Sequence, residues 1–375
     1  MKNRNRLAWL CAVLAVLSVL AAGCGSDDSG SDNATTTTKA GGTSSSVPTD
    51  GLDALSGKLS GQGSSFQDTF QQQVAADFGT LVSGAGGDAT VNYTKSGSSD
   101  GKKALADQTV DFAGSDSPIK DEEKAAFGDR EVLYFPIVGG PIAVAFHVEG
   151  LTELNLSATT IAKIFQADIT TWNDPAIAAE NPDATLPSTK ITVVHRSDGS
   201  GTTKNFTKFL TVAAPDVWKL DAGETVSWPT STQGAEKSSG VTKVISTTDG
   251  AIGYADLADA AKEDLAVAAV KGSGPDFVAP TPDAASVALG AADIADDLTY
   301  DPLNSSAAGA YPITSPTWML VDAKQGDQAT ADLIKAYLTY VLTTGQEQAK
   351  SLLYAPLPTD LAEKALTQID KITVG

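Results

Sequence analysis

The chain has 375 residues, and 26 lysines and arginines stand against 46 aspartates and glutamates, for a formal net charge of −20. This acidic balance argues against nucleic acid and against anionic lipid surfaces as partners, because both carry the same sign of charge. The length allows one large domain or two ordinary ones, and a hydrophobic content of 42% is enough for a well-formed core.

The first 23 residues are predicted to be an export signal. Three basic residues within the first six positions precede an apolar stretch, 7–20. This stretch is too short for a typical membrane span and has the length of the apolar part of a signal peptide. The protein is therefore expected to leave the cytoplasm.

A lipid anchor is predicted where the signal ends. The run Ala-Ala-Gly-Cys at 21–24 resembles a bacterial lipobox, in which cleavage leaves Cys24 as the lipidated first residue. An ordinary secretory signal cleaved near Ala22 is the alternative. Cys11, the only other cysteine, lies inside the signal, so the mature chain has no partner for a disulfide. Residues 24–51 are rich in Ser, Thr, Gly and Asp and are predicted to be a flexible tether.

From Leu52 onward, short apolar runs alternate with helical stretches, which is typical of the α/β class. Phenylalanine or valine recurs at every fourth position from Phe66 to Phe78 and predicts one apolar helix face. The apolar runs predict strands at 90–93, 132–138, 142–148, 191–195, 251–254 and 317–321, and the last periodic stretch predicts a helix over 329–350.

Three loops rich in glycine and hydroxyl side chains each precede a predicted helix, at 61–66, 96–101 and 196–203. The first amides of a helix are free to bind anions, and Ser and Thr add hydroxyl donors. Arg196 adds a charged donor to the third loop. N-capping alone would explain any one loop. Together they predict a shared tetrahedral oxyanion, held by local dipoles and hydrogen bonds because the overall charge repels it.

Asp116 follows an apolar strand and precedes a proline turn. A turn carboxylate is the ordinary interpretation of such a residue. The functional interpretation is an acceptor inside the anion site, which requires the ligand to carry a proton. Hydrogen phosphate does so near neutral pH and sulfate does not. A fixed carboxylate would then reject the fully ionised oxyanion.

Enzyme motifs fit this sequence poorly. The run 199–204 lacks the spacing of a P-loop. His195, Asp198 and Ser200 are too close in sequence for a catalytic triad, and the glycine of a nucleophile elbow is missing. Two distant histidines and no cysteine cluster argue against zinc, and Asp296-Asp297 is more typical of a solvated surface than of a calcium site. The sequence therefore favours a binding protein without cofactor or metal.

The motifs taken in order resemble those of one known family. The chain is similar to the substrate-binding lipoprotein of the bacterial high-affinity phosphate ABC transporter, the PstS type. The matching runs are Gly61-x-Gly63-Ser64-Ser65-Phe66, Val91-Asn92-Tyr93 with Gly97-Ser98-Ser99, Val110-Asp111-Phe112-x-Gly114-Ser115-Asp116, Phe135-Pro136 with Gly139-Gly140, Arg196-x-Asp198-Gly199-Ser200-Gly201-Thr202, Gly250-Ala251-Ile252-Gly253-Tyr254 and Tyr311-Pro312-Ile313-Thr314-Ser315.

The resemblance implies an α/β, two-lobed periplasmic-binding-protein fold of type II with phosphate in the cleft between the lobes. Lobe I is expected at 52–138 plus 312–375 and lobe II at 139–311, with two crossings that suit hinge bending. The segment 284–310 matches little in the family and is expected to be surface elaboration.

The resemblance also implies the function and the site. The protein is expected to bind inorganic phosphate at the outer face of the cell membrane, where a lipid such as palmitate would hold it. It is expected to serve phosphate uptake during phosphate starvation. It would deliver phosphate to the transporter permease, with the ATPase subunit involved only indirectly. An exported phosphatase, an adhesion or signalling lipoprotein, and a carrier of sulfate or molybdate are the alternatives. His195 is expected to be a strand-end residue without ligand contact. The implied phosphate ligands are Ser65, Phe66, Ser98, Asp116, Arg196, Ser200, Gly201 and Thr202, supported by Ser64, Gly97, Asp198 and Gly199.

Overall fold

Strands and helices alternate along the chain in a computed structural model that describes residues 51–375. The predicted signal peptide, the predicted lipid-attachment residue Cys24 and all of the predicted tether except Gly51 lie outside the described residues. The strands are Ser56–Gly63 (β1), Asp88–Lys95 (β2), Phe112–Ser115 (β3), Val132–His147 (β4), Asn155–Ser157 (β5), Thr192–Arg196 (β6), Gln233–Ala235 (β7), Ala251–Asp256 (β8), Ala266–Val267 (β9), Ala269–Lys271 (β10), Thr314–Asp322 (β11), Lys324–Gln325 (β12) and Thr373–Val374 (β13). The α-helices are Asp68–Ala85 (α1), Ser98–Ala106 (α2), Asp121–Lys124 (α3), Ala158–Phe165 (α4), Pro175–Glu180 (α5), Gly201–Ala213 (α6), Lys237–Ser246 (α7), Leu257–Lys262 (α8), Pro282–Gly290 (α9), Gln328–Leu342 (α10) and Thr359–Gln368 (α11). Short 3-10 helices lie at Leu52–Ala54, Ala125–Phe127, Thr344–Gln348, Lys350–Leu352 and Ile369–Lys371.

One mixed sheet runs through the described part of the chain in the order β2-β1-β3-β11-β4-β8-β6-β7, with β9 also paired to β4. Strand β1 is parallel to β2 and β3, whereas β11 is antiparallel to β3 and β4. Strand β6 is parallel to β7 and β8, and β8 is antiparallel to β4. We call β2-β1-β3-β11 the first half-sheet and β8-β6-β7 the second half-sheet. Within each half, the carboxyl ends of the parallel strands share one edge.

Strand β4 joins the two half-sheets and corrects a prediction. The sequence predicts two strands, 132–138 and 142–148, but the chain forms one strand of 16 residues. Its first part pairs with β11 and its second part with β8. Gly139 and Gly140 stay extended inside the strand because they pair with β11 residues. A Cβ at Gly139 would lie 2.7 Å from a Leu289 methyl carbon, so this glycine serves close packing rather than a chain break.

Helices cover the sheet with apolar faces. Helix α1 buries Phe70, Val74 and Phe78 of the predicted face, whereas Phe66 lies just before the helix begins. The ring of Phe78 packs edge-on against Tyr337 of α10 at 5.3 Å between centroids. The helix predicted over 329–350 is shorter, since α10 ends at Leu342 and 3-10 turns follow. Two threonines and Gly345 at this point are poor helix formers. None of the helices within residues 51–375 is both long and apolar enough to cross a bilayer.

The expectation that 284–310 is surface elaboration is wrong. Leu289 on α9 is buried against β4. The carbonyl of Leu298 accepts a hydrogen bond of 3.0 Å from the Trp318 indole of β11, and the Tyr300 ring lies edge-on to that indole at 5.5 Å. Alanine and leucine side chains are sufficient to cover the strands, so the scarcity of aromatic residues does not indicate exposure.

The predicted lobe limits stay a prediction. The change of partner along β4, from β11 to β8, falls between Pro141 and Ile142. This point is close to the first predicted crossing at Gly139-Gly140. The second predicted crossing, at Tyr311-Pro312, lies just before β11.

Candidate functional site

Four helices begin close to one another, each just after a strand. Helices α1, α2 and α6 follow β1, β2 and β6, and these are the junctions that the sequence predicts. Helix α7, after β7, is a fourth. The carboxyl ends of parallel strands are the usual place for ligand sites in open α/β sheets. The first amides of each helix lack intrahelical acceptors and carry positive partial charge, so the four junctions together favour an anion.

The first junction contains Ser64, Ser65 and Phe66, all of them buried. The Ser64 hydroxyl donates to Asp116 Oδ2 at 2.6 Å and accepts from the Phe66 amide at 3.0 Å. The Ser65 hydroxyl lies 3.2 Å from the Ser238 hydroxyl and accepts from the Ser238 amide, also at 3.2 Å. Ser64, predicted as a supporting residue, therefore contacts the central carboxylate directly.

The second and third junctions touch because two glycines let them approach. Gly97 has φ +109°, and a Cβ there would lie 2.7 Å from the Gly199 carbonyl oxygen. A Cβ on Gly201 would lie 2.5 Å from Ser98 Oγ and 2.8 Å from Asp116 Cβ. The Ser98 hydroxyl in turn accepts from the Asp116 amide at 3.3 Å. Any larger residue at Gly97 or Gly201 would push the two loops apart.

The third junction holds a buried arginine that is 4% exposed. The Arg196 guanidinium donates from Nε to Asp198 Oδ1 at 2.7 Å and from Nη2 to the other Asp198 oxygen. Burial raises the pKa of Asp198, but the hydrogen bonds and charge of Arg196 outweigh burial and hold it below its usual value. Arg196 Nη1 is buried and has no hydrogen-bond partner among residues 51–375.

The start of α6 supplies further donors. The Ser200 hydroxyl accepts from the Thr203 amide at 3.1 Å and so caps the helix. This cap does not satisfy the amides of Gly201 and Thr202, which precede Thr203 in the first turn. The third junction thus combines a charged donor, two helix amides and two hydroxyls.

Asp116 lies at the centre of these junctions and is 1% exposed. Its Oδ2 accepts from Ser64 Oγ at 2.6 Å and Thr202 Oγ1 at 3.3 Å, and its Oδ1 accepts from Thr317 Oγ1 at 2.7 Å. Burial raises the pKa of Asp116 to about 6, although the hydroxyls and the charge of Arg196 oppose the rise. A carboxylate has about four acceptor positions, so one is left for a further donor.

Thr317 is a site residue that the sequence analysis missed. Its hydroxyl accepts from the Gln67 amide at 2.7 Å, so its own proton is directed to Asp116. Gln67 accepts in turn from Gln71, which is bonded to Tyr337. This buried chain fixes the orientation of the Thr317 hydroxyl. No local signal in the sequence links β11 to Asp116.

The α7 junction was missed as well. Ser238 is fully buried against Ser65, and the Lys237 amide donates to Asp198 Oδ1 at 3.0 Å. The Ser-Ser-Gly run at 238–240 has the same character as the three loops that were identified. That run was the local signal from which the sequence analysis could have predicted the fourth junction.

His195 lies at the end of β6, as predicted. Its half-buried ring stacks on Trp228 at 4.9 Å between centroids, and Nδ1 lies 2.9 Å from the Arg196 carbonyl oxygen. Burial lowers its pKa. The ring packs against the strand end and supports the loop that carries Arg196.

The assembled groups suit a small tetrahedral oxyanion that carries a proton. Hydroxyls, helix amides and Arg196 are the donors, and Asp116 is the buried acceptor. Among the described residues, no group of three or more His, Cys, Asp or Glu side chains is arranged to hold a metal ion.

A family model and individual relatives were both found when the chain was compared with known proteins, and they agree with one another. Residues 30–344 match the model of the PBP superfamily domain. The chain is 33% identical to phosphate-binding protein PstS 3 of Mycobacterium tuberculosis, over 98% of this chain and 99% of that one. It is 32% identical to phosphate-binding protein PstS of Xylella fastidiosa, over 85% and 87% of the two chains.

Solved structures share the fold. A high-affinity periplasmic phosphate-binding protein, PfluDING, determined with bound phosphate, has a TM-score of 0.68 at 23% identity, covering 83% of this chain and 93% of its own. The phosphate-binding protein of Stenotrophomonas maltophilia has a TM-score of 0.67 at 19% identity, covering 84% and 94%. The α/β periplasmic-binding-protein fold expected from the sequence is thereby confirmed.

Proposed function

This chain belongs to the family of PstS-type phosphate-binding proteins, and on that premise we propose that it captures inorganic phosphate outside the cell membrane and delivers it to an ABC transporter permease. The relatives are named as phosphate-binding proteins, and the alignment with the Mycobacterium tuberculosis protein covers 98% of this chain and 99% of that one. The proposal extends that binding activity to this chain.

The observation that carries the proposal is the pairing of two buried groups of opposite character. Arg196 Nη1 lacks a partner among the described residues, and Asp116 keeps an unused acceptor position while it takes three hydroxyl bonds. Hydrogen phosphate satisfies both, because its ionised oxygens accept from the guanidinium and its OH donates to the carboxylate. A fully ionised oxyanion of the same shape satisfies Arg196 but leaves two acceptors facing each other.

We assign the phosphate donors to both sides of Asp116. Hydrogen bonds to a charged partner contribute about 1.5–3 kcal/mol each, and micromolar binding needs about 8 kcal/mol net. A handful of such bonds is enough even after the phosphate is desolvated. The proposed ligands are Ser65, Phe66, Ser98, Asp116, Arg196, Ser200, Gly201 and Thr202, and the proposed supports are Ser64, Gly97, Asp198 and Gly199.

The proposed mechanism is binding and release without covalent chemistry. The half-sheets carry opposite walls of the site, with Ser98 on the side of β2 and Arg196 at the end of β6. Closure of the two predicted lobes would bring these walls onto phosphate and exclude water. The relatives are named for phosphate binding, and we infer that this protein hydrolyses nothing and that the transporter supplies the energy.

We infer a location at the outer face of the cell membrane. The export signal would be removed and Cys24 would carry the lipid, while residues 24–51 would form the flexible tether. Replacement of Cys24 with serine should therefore release the protein from membranes into the medium. Retention on membranes would show that the anchor lies elsewhere.

The test is calorimetric titration of the mature protein carrying Cys24→Ser, after bound anion has been removed by unfolding and refolding. Phosphate and then sulfate are titrated at neutral pH into this protein and into its Asp116→Asn variant. The matched control is Asp107→Asn, since Asp107 is an exposed carboxylate that pairs with Lys103 on α2.

We expect one-to-one phosphate binding without sulfate heat in the parent and the control, and sulfate binding in Asp116→Asn. Binding of neither anion by the parent would overturn the proposed function and favour an adhesion or signalling role. Sulfate binding by the parent would leave the anion site intact but refute the role of Asp116 as the discriminating acceptor.

A further inference from the structure

A buried ionic cluster lies beside the candidate phosphate site and belongs to none of the groups described so far. Glu224, in the loop between α6 and β7, is 2% exposed. Its Oε1 accepts from Lys102 at 2.7 Å and Ser117 at 2.5 Å, and its Oε2 accepts from Ser99 at 2.8 Å and lies 3.0 Å from Lys120 Nζ. Four groups between residues 99 and 120 thus hold one carboxylate from a distant loop.

These contacts join the two sides of the site. The four partners of Glu224 lie on α2 and in the loop after β3, beside the first half-sheet. Glu224 itself follows α6, which begins at the end of β6 in the second half-sheet. The carboxylate therefore crosses from one side of the site to the other and is held there by at least two charged and two hydroxyl donors.

Glu224 also touches both phosphate loops. Its carbonyl oxygen accepts from the Ser200 amide at 3.0 Å, and its carboxylate accepts from Ser99, the neighbour of Ser98. The Ser99 amide donates to the Gly199 carbonyl at 3.3 Å, so the same two loops meet directly as well. Glu224 and this direct contact together fix the distance between the donors of α2 and those of α6.

The cluster is balanced in charge. Burial alone would raise the pKa of Glu224, but Lys102, Ser117 and Lys120 outweigh burial and lower it to about 2. Glu224 is therefore ionised across the physiological range. Lys102 is also paired with Glu123 at 2.7 Å, so two lysines balance two glutamates. The ionic cluster would consequently add little repulsion to an anion bound at the neighbouring site.

We propose that Glu224 is a positioning residue that latches the α2 and α6 loops together around bound phosphate and so sets how long phosphate stays bound. The inference rests on the proposed function, because it gives the same site a means of holding its closed form. Truncating one partner of a buried, hydrogen-bonded charge pair acts mainly on the rate of dissociation. Glu224 itself is not proposed to contact phosphate.

The first experiment compares phosphate dissociation from the mature Cys24→Ser protein and its Glu224→Gln variant by stopped flow, with an excess of a fluorescent phosphate sensor to trap what is released. Glutamine keeps the shape but removes the charge. We expect dissociation at least tenfold faster, equivalent to about 1.4 kcal/mol, with association changed less than threefold. Glu263→Gln is the control, because Glu263 is paired with Lys243 at 3.3 Å in a more exposed position.

Ser99→Ala is a second variant that leaves no charge buried without a partner. It removes one bond across the site, so we expect severalfold faster dissociation with the melting temperature of the phosphate-free protein nearly unchanged. In the double variant the two effects should not add, since both act through one contact.

The proposed latch would be refuted if both Ser99→Ala and Glu224→Gln released phosphate at the rate of the parent. It would also be refuted if Glu224→Gln lowered only the stability of the protein and left the rate of phosphate release unchanged. Failure of the parent itself to bind phosphate would instead refute the proposed function. The parent titration therefore separates the two failures.

Discussion

Asp116→Asn should change the pH dependence of stability in the phosphate-free protein. Burial raises the pKa of Asp116 from 3.8 to about 6. The folded protein therefore binds this proton more tightly than the unfolded chain does. Stability from this group is complete below the unfolded pKa and is lost as the pH rises through the folded one. A shift of about 2 pH units corresponds to about 3 kcal/mol, since each unit is worth 1.36 kcal/mol.

Asparagine has no proton to lose, so the variant escapes this cost. As the pH rises from 4.5 to 7.5, the free energy of unfolding of Asp116→Asn should increase by about 2 kcal/mol relative to that of the parent. This is less than the full effect of about 3 kcal/mol because part of the titration of the unfolded chain lies below pH 4.5. The two chains have compatible hydrogen bonding, since the hydroxyls of Ser64 and Thr202 can accept from the amide. The gain is large enough to measure by urea unfolding.

The assay is urea denaturation at several pH values in buffers free of phosphate and sulfate, with Asp107→Asn measured in parallel. Subtraction of this control removes the general effect of deleting one negative charge. A gap between Asp116→Asn and the parent that stays constant with pH, or narrows as the pH rises, would refute the argument that burial dominates the energetics of Asp116.

Three further substitutions test the site. Arg196→Ala should weaken phosphate binding at least tenfold by calorimetry, and unchanged affinity would remove Arg196 from the site. Gly201→Ala places a Cβ 2.5 Å from Ser98 Oγ, so it should force the α2 and α6 loops apart and weaken phosphate binding at least tenfold. The free energy of unfolding measured with urea should fall by about 1–3 kcal/mol. An affinity equal to that of the parent would mean that the two loops need not touch. Thr317→Val removes a 2.7 Å bond that lowers the pKa of Asp116, so the acid limb of phosphate binding should move to higher pH, and an identical pH profile would contradict that contact.

The sequence predicted the strand-to-helix junctions because their signals are local. Glycine and hydroxyl residues between an apolar run and an amphipathic stretch report a helix N-terminus within a few positions. The loops at 61–66, 96–101 and 196–203 follow this rule, and their helices begin within or just after them. Asp116 was found for the same reason, since it directly follows β3.

The parts that were missed depend on contacts between distant segments. Thr317 lies 201 positions from Asp116, Ser238 lies 173 from Ser65, and Glu224 lies 122 from Lys102. Nothing in the local sequence of Thr317 or Glu224 distinguishes them from ordinary strand or loop residues, whereas Ser238 lies in a Ser-Ser-Gly run that resembles the three identified loops. Strand β4 was divided for a similar reason, because a glycine pair predicts a break unless the partner strand is known.

The carboxylates around the site explain how a protein of charge −20 can hold an anion. Asp198 is bound by Arg196, and Glu224 is bound by Lys102 and Lys120, so each is neutralised where it stands. Asp116 is different, because its direct hydrogen-bond partners among the described residues are hydroxyls rather than a cation. Its ionisation therefore costs about 3 kcal/mol in the buried site. A ligand that brings its own proton relieves part of this cost, whereas a ligand without one increases it. Under the proposed function, the same burial that destabilises Asp116 at neutral pH would thus supply the preference for hydrogen phosphate.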